Sequence, residues 1–331
     1  MIVAVVLIAS GCGGYVPTAQ QPGDQVASGV RSPSPSSVSS TSPCQGPALP
    51  DREAPAITYD GDRNAPLVFG GDVDGASVAD TLLFRGGCWG LQQAMAGPSP
   101  RQSAALVYDP EVHLSILIGG RKDDPHGPQT IPADVWVLSP QGWSQLSGAP
   151  HFSDASAAYD VIHHVIVVLG SSPEGVGTWT WDGTTWRLAT IDGPRPRANP
   201  AMCFDVSSNS VVEFGGANSG GPILGDTWLW NGSSWAKQQP LHSPPARFEA
   251  AASCGLHPLL YGGWGSYSGL VLSDTWMWID GDWVQEYPSH KPSGRTTMPI
   301  AAFDGSRQWI FDGLSSSGAW RWSGNDWTAA T

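Results

Sequence analysis

The feature that most constrains this chain is a pair of tryptophans with a fixed spacing. Trp228 and Trp235 are seven residues apart and are joined by a short Asn-Gly turn. The same spacing recurs in four further pairs: Trp136 and Trp143, Trp179 and Trp186, Trp276 and Trp283, Trp320 and Trp327. In the first copy Leu82 replaces the first tryptophan of the pair, and Trp89 is the second. Six copies of one unit restrict the chain to a repeat architecture.

Each copy contains four short apolar segments separated by turn-forming residues. The first ends in an aromatic residue and Asp, as in Tyr59-Asp60, although the fifth copy has Cys254-Gly255. The second ends in Gly, the third often begins with Asp two residues before Trp, and the fourth carries the last Trp. The anchor positions are 49, 51, 45, 50 and 49 residues apart. We therefore predict an all-β fold, a six-bladed propeller over residues 51–331 with four antiparallel strands per blade.

The tryptophans are predicted to be core residues rather than a ligand-binding surface. Alternate residues of a strand share one face, so Trp228 and Trp230 would fill the wide gap between the outer parts of adjacent blades. Fifteen of the 17 tryptophans occupy such repeat positions.

The Gly doublets, the downstream aromatic residue and the spaced tryptophans resemble Kelch repeats, which also form the central domain of galactose oxidase. The resemblance covers residues 51–331 and implies a six-bladed propeller. Kelch propellers commonly close the ring by combining strands from both termini in one blade. Every copy here is complete in sequence order, so the sequence does not predict that closure.

The N-terminal segment predicts export and anchoring. Residues 1–10 are almost wholly apolar and lead into Ala9-Ser10-Gly11-Cys12, which resembles the processing site of a bacterial lipoprotein. The resemblance implies a signal peptide over residues 1–11 and lipidation of Cys12. Residues 12–50, rich in Ser and Pro, would be a disordered tether, which places the propeller at the outer face of a bacterial membrane. An ordinary secretion signal and a buried strand are the alternatives.

The net charge restricts the classes of ligand, and the cysteines indicate possible disulfide bonds. The formal charge of −13, from 29 acidic and 16 basic residues, disfavours nucleic acid. Membrane contact is expected through the lipid anchor only. With Cys12 lipidated, four cysteines remain for an oxidising compartment, and we expect Cys44 to pair with Cys88 and Cys203 with Cys254. Buried free thiols are the alternative for Cys203 and Cys254.

Two sets of polar residues precede the anchor position of each repeat. Basic residues stand seven or eight positions before it: Arg52, Arg101, His151, Arg197, Arg247 and Arg295. Polar residues stand five positions before it: Ser103, Asp154, Asn199 and Glu249. Both sets fall where each inner strand begins, so we expect them around one mouth of the central channel. The arginines would bind carboxylates or sulfates; alternatively, each bonds loop carbonyls or a neighbouring acid.

Two long loops would open on the same face. Trp264 and Tyr267 lie in a Gly-rich loop outside the repeat pattern, where they would stack on a sugar or anchor a partner. The alternative is that Trp264 folds onto a neighbouring blade. The loop 121–133 carries Asp123, Asp124 and His126, but this spacing is common in solvated loops, and neither a metal nor a cofactor is expected.

The leading hypothesis is a non-catalytic, monomeric binding propeller that recognises a protein or a glycan at the channel mouth. The alternative is a carbohydrate- or sialic-acid-active enzyme, epimerase- or mutarotase-like, that uses arginine, His151, Asp154 and Glu249 on the same face. A structural envelope component is a third hypothesis.

Overall fold

The computed structural model describes residues 50–92, 96–125, 127–218, 221–292, 299–314 and 318–330. The predicted signal peptide, the tether, Cys12, Cys44, His126 and Arg295 lie outside these ranges. Over the described residues every regular element is a β-strand. This part of the chain contains no helix that is long and apolar enough to cross a membrane.

Six four-stranded antiparallel sheets form the blades of a six-bladed propeller, as predicted. The strands of blades one and two are β1 (Ala56–Asp60), β2 (Ala65–Phe69), β5 (Thr81–Arg85), β6 (Cys88–Gln92), β7 (Ala105–Asp109), β8 (Leu114–Ile118), β9 (Val135–Ser139) and β10 (Gly142–Gln145). A two-stranded hairpin, β3 (Asp72–Val73) and β4 (Ala76–Ser77), projects from blade one. The strands of blades three and four are β11 (Asp154–Asp160), β12 (Val165–Ser172), β13 (Gly175–Trp181), β14 (Trp186–Thr190), β15 (Ala201–Asp205), β16 (Ser210–Phe214), β17 (Thr227–Trp230) and β18 (Trp235–Lys237). The strands of blades five and six are β19 (Ala251–Ser253), β20 (Leu259–Trp264), β21 (Val271–Ile279), β22 (Asp282–Glu286), β23 (Ile300–Phe303), β24 (Gln308–Phe311), β25 (Ala319–Trp322) and β26 (Trp327–Ala329).

The ring closes by packing between blades. Each sheet consists of strands that follow one another in the chain, with only the β3–β4 hairpin intervening in blade one. Blade six lies directly beside blade one, where β23 packs against β1. No strand is exchanged between the ends of the described chain, which agrees with the complete copies in the sequence.

Tryptophans fill the spaces between blades, as the repeat predicts. In four cases the indole N–H of a fourth-strand tryptophan donates a hydrogen bond to a threonine in the third strand of the preceding blade. The pairs are Trp143 to Thr81 at 2.9 Å, Trp235 to Thr178 at 2.7 Å, Trp283 to Thr227 at 2.9 Å and Trp327 to Thr275 at 3.1 Å. This bond fixes the register of one blade against the next.

The remaining two interfaces lack this bond. Val135 and Ala319 occupy the threonine position there, and the buried indole nitrogens of Trp186 and Trp89 have no hydrogen-bond partner among the described residues. A buried donor without an acceptor costs free energy, so these two interfaces are less stable than a complete repeat would make them.

Backbone geometry and a disulfide also join neighbouring blades. Gly215 has a φ of 70°, and a Cβ added there would collide with the carbonyl of Arg247 in the next blade, which explains why the repeat requires glycine at this point. Cys203 in β15 forms a disulfide with Cys254, which follows β19, with 5.3 Å between the Cα atoms. Cys88 is also disulfide-bonded.

Candidate functional site

The central channel is lined by the first strand of every blade and contains two cavities. One lies at the end where these strands begin and measures about 200 Å³; we call it the upper vestibule. The other lies at the opposite end and measures about 420 Å³; we call it the lower vestibule. The residues that line both are Ile57, Leu106, Ala157, Met202, Ala252 and Ala301. Alanine at three of these six positions helps the strands converge on the axis.

The arginines at the upper end of the blades are buried rather than open to a ligand. Arg247, for example, is 1% exposed. Its guanidinium donates to the carbonyl of Gly262 at 2.9 Å and to both carboxylate oxygens of Asp274 at 2.6 and 2.8 Å. Equivalent bonds to a glycine carbonyl and an aspartate are made by Arg52 with Gly70 and Asp80, Arg101 with Gly119 and Asp134, and Arg197 with Gly215 and Asp226.

The aspartate in this arrangement usually bonds a tryptophan as well. Asp274 accepts a hydrogen bond from the indole of Trp276 at 2.7 Å, and Asp134 and Asp226 bond Trp136 and Trp228 in the same way. Burial alone would raise the pKa of Asp274, but the hydrogen bonds and charge of Arg247 and the bond from Trp276 outweigh it and lower the pKa.

The burial of Arg52, Arg101, Arg197 and Arg247 does not favour the expected ring of arginines open to a ligand. Their terminal guanidinium nitrogens bond groups of the same blade, and these bonds connect the start of the first strand to the end of the second and the start of the third. This corresponds to the alternative in which each arginine bonds carbonyls and a neighbouring acid.

The second polar set does line the upper vestibule. Glu249 is partly exposed there, and its carboxylate accepts a hydrogen bond from the side-chain amide of Asn199 at 2.8 Å. Burial raises the pKa of Glu249 to about 7, opposed by this hydrogen bond and by the charge of Arg121. The hydroxyl of Ser103 is buried in the same cavity and has no hydrogen-bond partner. The vestibule thus holds a carboxyl that titrates near neutrality, an amide and an unsatisfied hydroxyl.

The backbone at these positions is held in a left-handed conformation. The φ angles of Ala54, Ser103, Asn199 and Glu249 are 43°, 53°, 47° and 57°. Backbone hydrogen bonds between adjacent blades hold this conformation. The amide of Ser103 donates to the carbonyl of Ala54 at 2.8 Å, and the amide of Glu249 donates to the carbonyl of Asn199 at 2.9 Å. A residue with a Cβ in this region costs on the order of 1 kcal/mol. The fold maintains this strain at the one ring of positions that faces the mouth.

The two remaining polar residues of these sets that the structure describes lie at the start of blade three. His151 is exposed, and its Nδ1 lies 3.3 Å from a carboxylate oxygen of Glu174, so it pairs with a residue of its own blade. Asp154 begins β11, and its backbone pairs with Ser171.

Trp264 does not lie in an exposed loop, which corrects the expectation from the sequence. It is the last residue of β20, is half-buried, and exchanges two backbone hydrogen bonds with Phe248. Tyr267 remains 63% exposed. Its ring lies 5.4 Å from that of Phe248, and its hydroxyl donates to the carbonyl of Gly221 in the neighbouring blade at 3.2 Å.

Sequence reasoning missed two further features. The anchor aromatics of five blades, Tyr59, Tyr108, Tyr159, Phe204 and Phe303, all line the lower vestibule. Glu213 in β16 is fully buried, although the equivalent residues of the other blades are Val68, Leu117, Val168, Leu260 and Ile310. Aligning the second strands of the repeats would have found this glutamate. Among the described residues, no group of three or more His, Cys, Asp or Glu side chains could hold a metal ion.

Comparison with known proteins supports the fold. No family model matches the chain. It is 33% identical over 158 residues to the tRNA wybutosine-synthesizing protein 4 of Aspergillus fumigatus, covering 43% of this chain and 15% of that protein. It is 40% identical over 175 residues to the protein of the same name from Emericella nidulans, covering 46% of this chain and 16% of that protein. The chain thus spans only a small part of these relatives. A solved structure described as "Structure of YjhT" aligns with a TM-score of 0.63 at 15% identity, over 86% of this chain and 99% of that one. At this identity the likeness shows a shared propeller fold.

Proposed function

We propose that this protein is a binding propeller that recognises a hydroxyl-rich ligand, a glycan, in the upper vestibule. The observation that carries the proposal is the Glu249–Asn199 pair, which lines the same cavity as Ser103, whose hydroxyl has no hydrogen-bond partner among the described residues. A carboxylate, an amide and a hydroxyl are the groups that hydrogen-bond sugar hydroxyls, since together they both donate and accept. The surrounding alanines and prolines leave a cavity of about 200 Å³, which suits one sugar ring at the end of a chain.

The names of the sequence relatives refer to tRNA, but this chain is poorly suited to bind nucleic acid. Its net charge is −13, and a nucleic-acid site requires a basic surface that releases counterions from phosphates. The matching part is also only 15 or 16% of each relative. We therefore do not extend a tRNA-related activity to this protein.

We further propose that the propeller is held at the outer face of a bacterial membrane through lipidated Cys12. The support is the apolar segment before Ala9-Ser10-Gly11-Cys12 and the Ser- and Pro-rich stretch after it. Cys12→Ala should move the protein from the membrane fraction to the soluble fraction. Unchanged fractionation would contradict the anchor.

A carbohydrate-active enzyme that works on the same face is the second candidate. The observation in its favour is the pKa of Glu249 of about 7, because a general acid or base works best when its pKa lies near the operating pH. In this case Glu249 would exchange a proton with the sugar rather than only bind it.

The test is a glycan array followed by titration calorimetry on the full chain. Glu249→Gln keeps the shape of the side chain but removes its charge, and Asn199→Ala removes the amide. Each should weaken binding at least about tenfold, since a hydrogen bond to a charged group contributes about 1.5–3 kcal/mol. Glu174→Gln removes an exposed carboxylate outside the vestibule and should leave affinity unchanged.

Unchanged affinity in both Glu249→Gln and Asn199→Ala would refute the site. Capture of a polypeptide instead of a glycan would refute the ligand class. Turnover of a sugar that disappears in Glu249→Gln, while binding persists, would favour the enzyme.

A further inference from the structure

An open groove of about 760 Å³ lies where blade six meets blade one. Four of its lining residues are arginines, namely Arg63, Arg85, Arg307 and Arg321, in a chain with 16 basic residues in total. It touches the lower vestibule, because Tyr59 and Asp304 line both, and Glu249 is not among its lining residues. The groove is therefore separate from the glycan site, and the inference below does not rest on that proposal.

Three of these arginines have no acidic partner among the described residues. Arg63 is paired with Asp60 at 2.7 Å, but among the described residues Arg85, Arg307 and Arg321 make no ion pair. The only hydrogen bond of the Arg85 side chain in this part of the structure goes to the carbonyl of Arg63 at 2.9 Å. In a protein of charge −13, three unpaired guanidinium groups in one groove form a local site of opposite sign.

Among the described residues that line the groove, one has a carboxylate, and that carboxylate already accepts hydrogen bonds. Asp304 accepts a hydrogen bond from the indole of Trp309 at 3.0 Å and from the backbone amides of Ser306 and Arg307 at 2.9 and 2.6 Å. These contacts lower the pKa of Asp304 against the effect of burial, which acts in the opposite direction and is the largest single influence. The backbone and the indole favour the charged form of this acid, so it offsets one positive charge, and the arginines that line the groove still outnumber it.

Arg321 and Trp309 depart from the repeat at matching positions. They are cross-strand partners in blade six, and the guanidinium lies 5.1 Å from the centre of the indole ring. The equivalent pairs in the other blades are Leu67–Leu83, Ile116–Val137, Val167–Thr180, Val212–Leu229 and Leu259–Met277. Five blades therefore place uncharged side chains where blade six places a stacked arginine.

The stacked arginine is preorganised as a hydrogen-bond donor. Its Nε is buried and therefore does not face the groove, whereas the side chain as a whole is partly exposed and lines the groove. Trp309 is in turn parallel to Phe311, with ring centres 6.1 Å apart and an angle of 4°, so the ring beneath the guanidinium is itself fixed. A planar guanidinium held on an aromatic face loses little entropy when it binds a two-oxygen acceptor.

We propose that this groove binds a polyanionic ligand that carries phosphate or sulfate groups. Arg85, Arg307 and Arg321 supply the charge, and Arg321 supplies a fixed fork for two oxyanion oxygens. The preference for a multiply charged ligand follows from three unpaired cations rather than one. Binding should weaken with salt, because exposed charges are screened within about 10 Å at 0.1 M ionic strength.

The experiment is titration calorimetry of the full chain with two separate probes, inorganic tripolyphosphate and a heparin-derived tetrasaccharide. At least one should bind at one site per chain, more tightly at 50 mM than at 300 mM NaCl. Arg307→Gln and Arg321→Gln should each weaken that binding at least tenfold. The matched controls Arg187→Gln and Arg195→Gln remove the same charge outside the groove and should change affinity less than twofold.

Several results would overturn the proposal. Absence of binding by both probes would refute it. An equal loss of affinity in all four glutamine variants would also refute it, because affinity would then depend on the net charge of the protein and not on this groove. Full affinity in Arg321→Lys would refute the fork, because lysine keeps the charge without the planar geometry. Arg307 is exposed in a turn, so Arg307→Gln keeps the test decisive if Arg321→Gln does not fold. The probe that binds identifies phosphate or sulfate as the group recognised.

Discussion

Val135→Thr should stabilise the propeller, although it places a hydroxyl in the core. Val135 is 1% exposed and begins β9 at the position that holds threonine in four other blades. The indole nitrogen of Trp186 in the next blade is buried without a partner. Threonine has nearly the shape of valine, so the change supplies the missing acceptor without altering the packing.

The magnitude follows from the hydrogen-bond balance. A new intramolecular hydrogen bond contributes about 1 kcal/mol net, and an unsatisfied buried donor costs about 1–3 kcal/mol. Burying an additional hydroxyl opposes this by about 1–3 kcal/mol when it is unpaired, but here it is paired with the indole. We expect a net gain of about 1 kcal/mol. The reverse change, Thr227→Val, removes the acceptor of Trp283 and should cost about 1–2 kcal/mol.

The assay is equilibrium denaturation of the full chain by guanidinium chloride, followed by circular dichroism. Val135→Thr should raise the midpoint without changing the slope, and Thr227→Val should lower it. Val212→Thr is the matched control, because Val212 is equally buried but Trp283 beside it already donates to Thr227. Its hydroxyl gains no such partner, so it should destabilise the protein.

A loss of stability in Val135→Thr as large as that in Val212→Thr would refute the reasoning. It would mean that the indole N–H of Trp186 already donates a hydrogen bond to another acceptor, or that the introduced threonine hydroxyl is too far away to accept one.

Two further changes test the buried charges. Burial raises the pKa of Glu213 to about 8 while Arg197 opposes the shift. Stability should therefore fall as the pH rises from about 4.5 to about 8, by up to about 1.4 kcal/mol per unit, because the unfolded chain releases a proton that the folded chain keeps. Glu213→Val should stabilise the protein more at pH 8 than at pH 5 in denaturation curves, and an equal effect at both would contradict this assignment. Arg247→Met should cost about 3 kcal/mol or more, since it leaves the partly buried Asp274 without its cation; a loss below 1 kcal/mol would contradict the structural role of the arginine.

The fold was predictable because each recurring position of the internal repeat has one structural role, either in a hairpin or in the packing between blades. Trp228 and Trp235 specify a hairpin with one face towards a neighbouring blade. Six such hairpins in succession therefore predict a closed ring of blades. Hairpin length is not set by the repeat. For this reason Trp264 was misplaced in a loop, although β20 and β21 extend far enough to include it.

The role of the arginines was less predictable than their location. Their spacing correctly placed Arg52, Arg101, Arg197 and Arg247 at the start of the inner strands, but spacing does not show what a side chain bonds. The available signal was co-occurrence within this one chain. The four blades with arginine seven residues before the anchor also have aspartate before the third strand. Blade three has Phe152 and Gly177 at the two positions, and blade six has Thr296 and Gly318. A cation and an acid that appear and disappear together indicate an ion pair.

The groove between blades six and one was beyond sequence reasoning because its residues are distant in the chain. Arg85 and Arg321 come from the first and last blades, and only closure of the ring brings them together. The pattern nevertheless contained a clue, since Trp309 and Arg321 replace smaller uncharged residues at two facing positions.

The two incomplete interfaces of the ring differ in what accompanies the missing bond. Between blades two and three, Val135 simply leaves Trp186 without an acceptor. Between blades six and one, Ala319 leaves Trp89 without an acceptor, and the same interface opens into the arginine groove. Among the described residues no strand crosses this junction, and β23 packs directly against β1. Arginines gathered in one groove repel one another, which opposes this contact. If the groove binds a polyanion as proposed, the ligand would reduce the repulsion and so stabilise the closed ring.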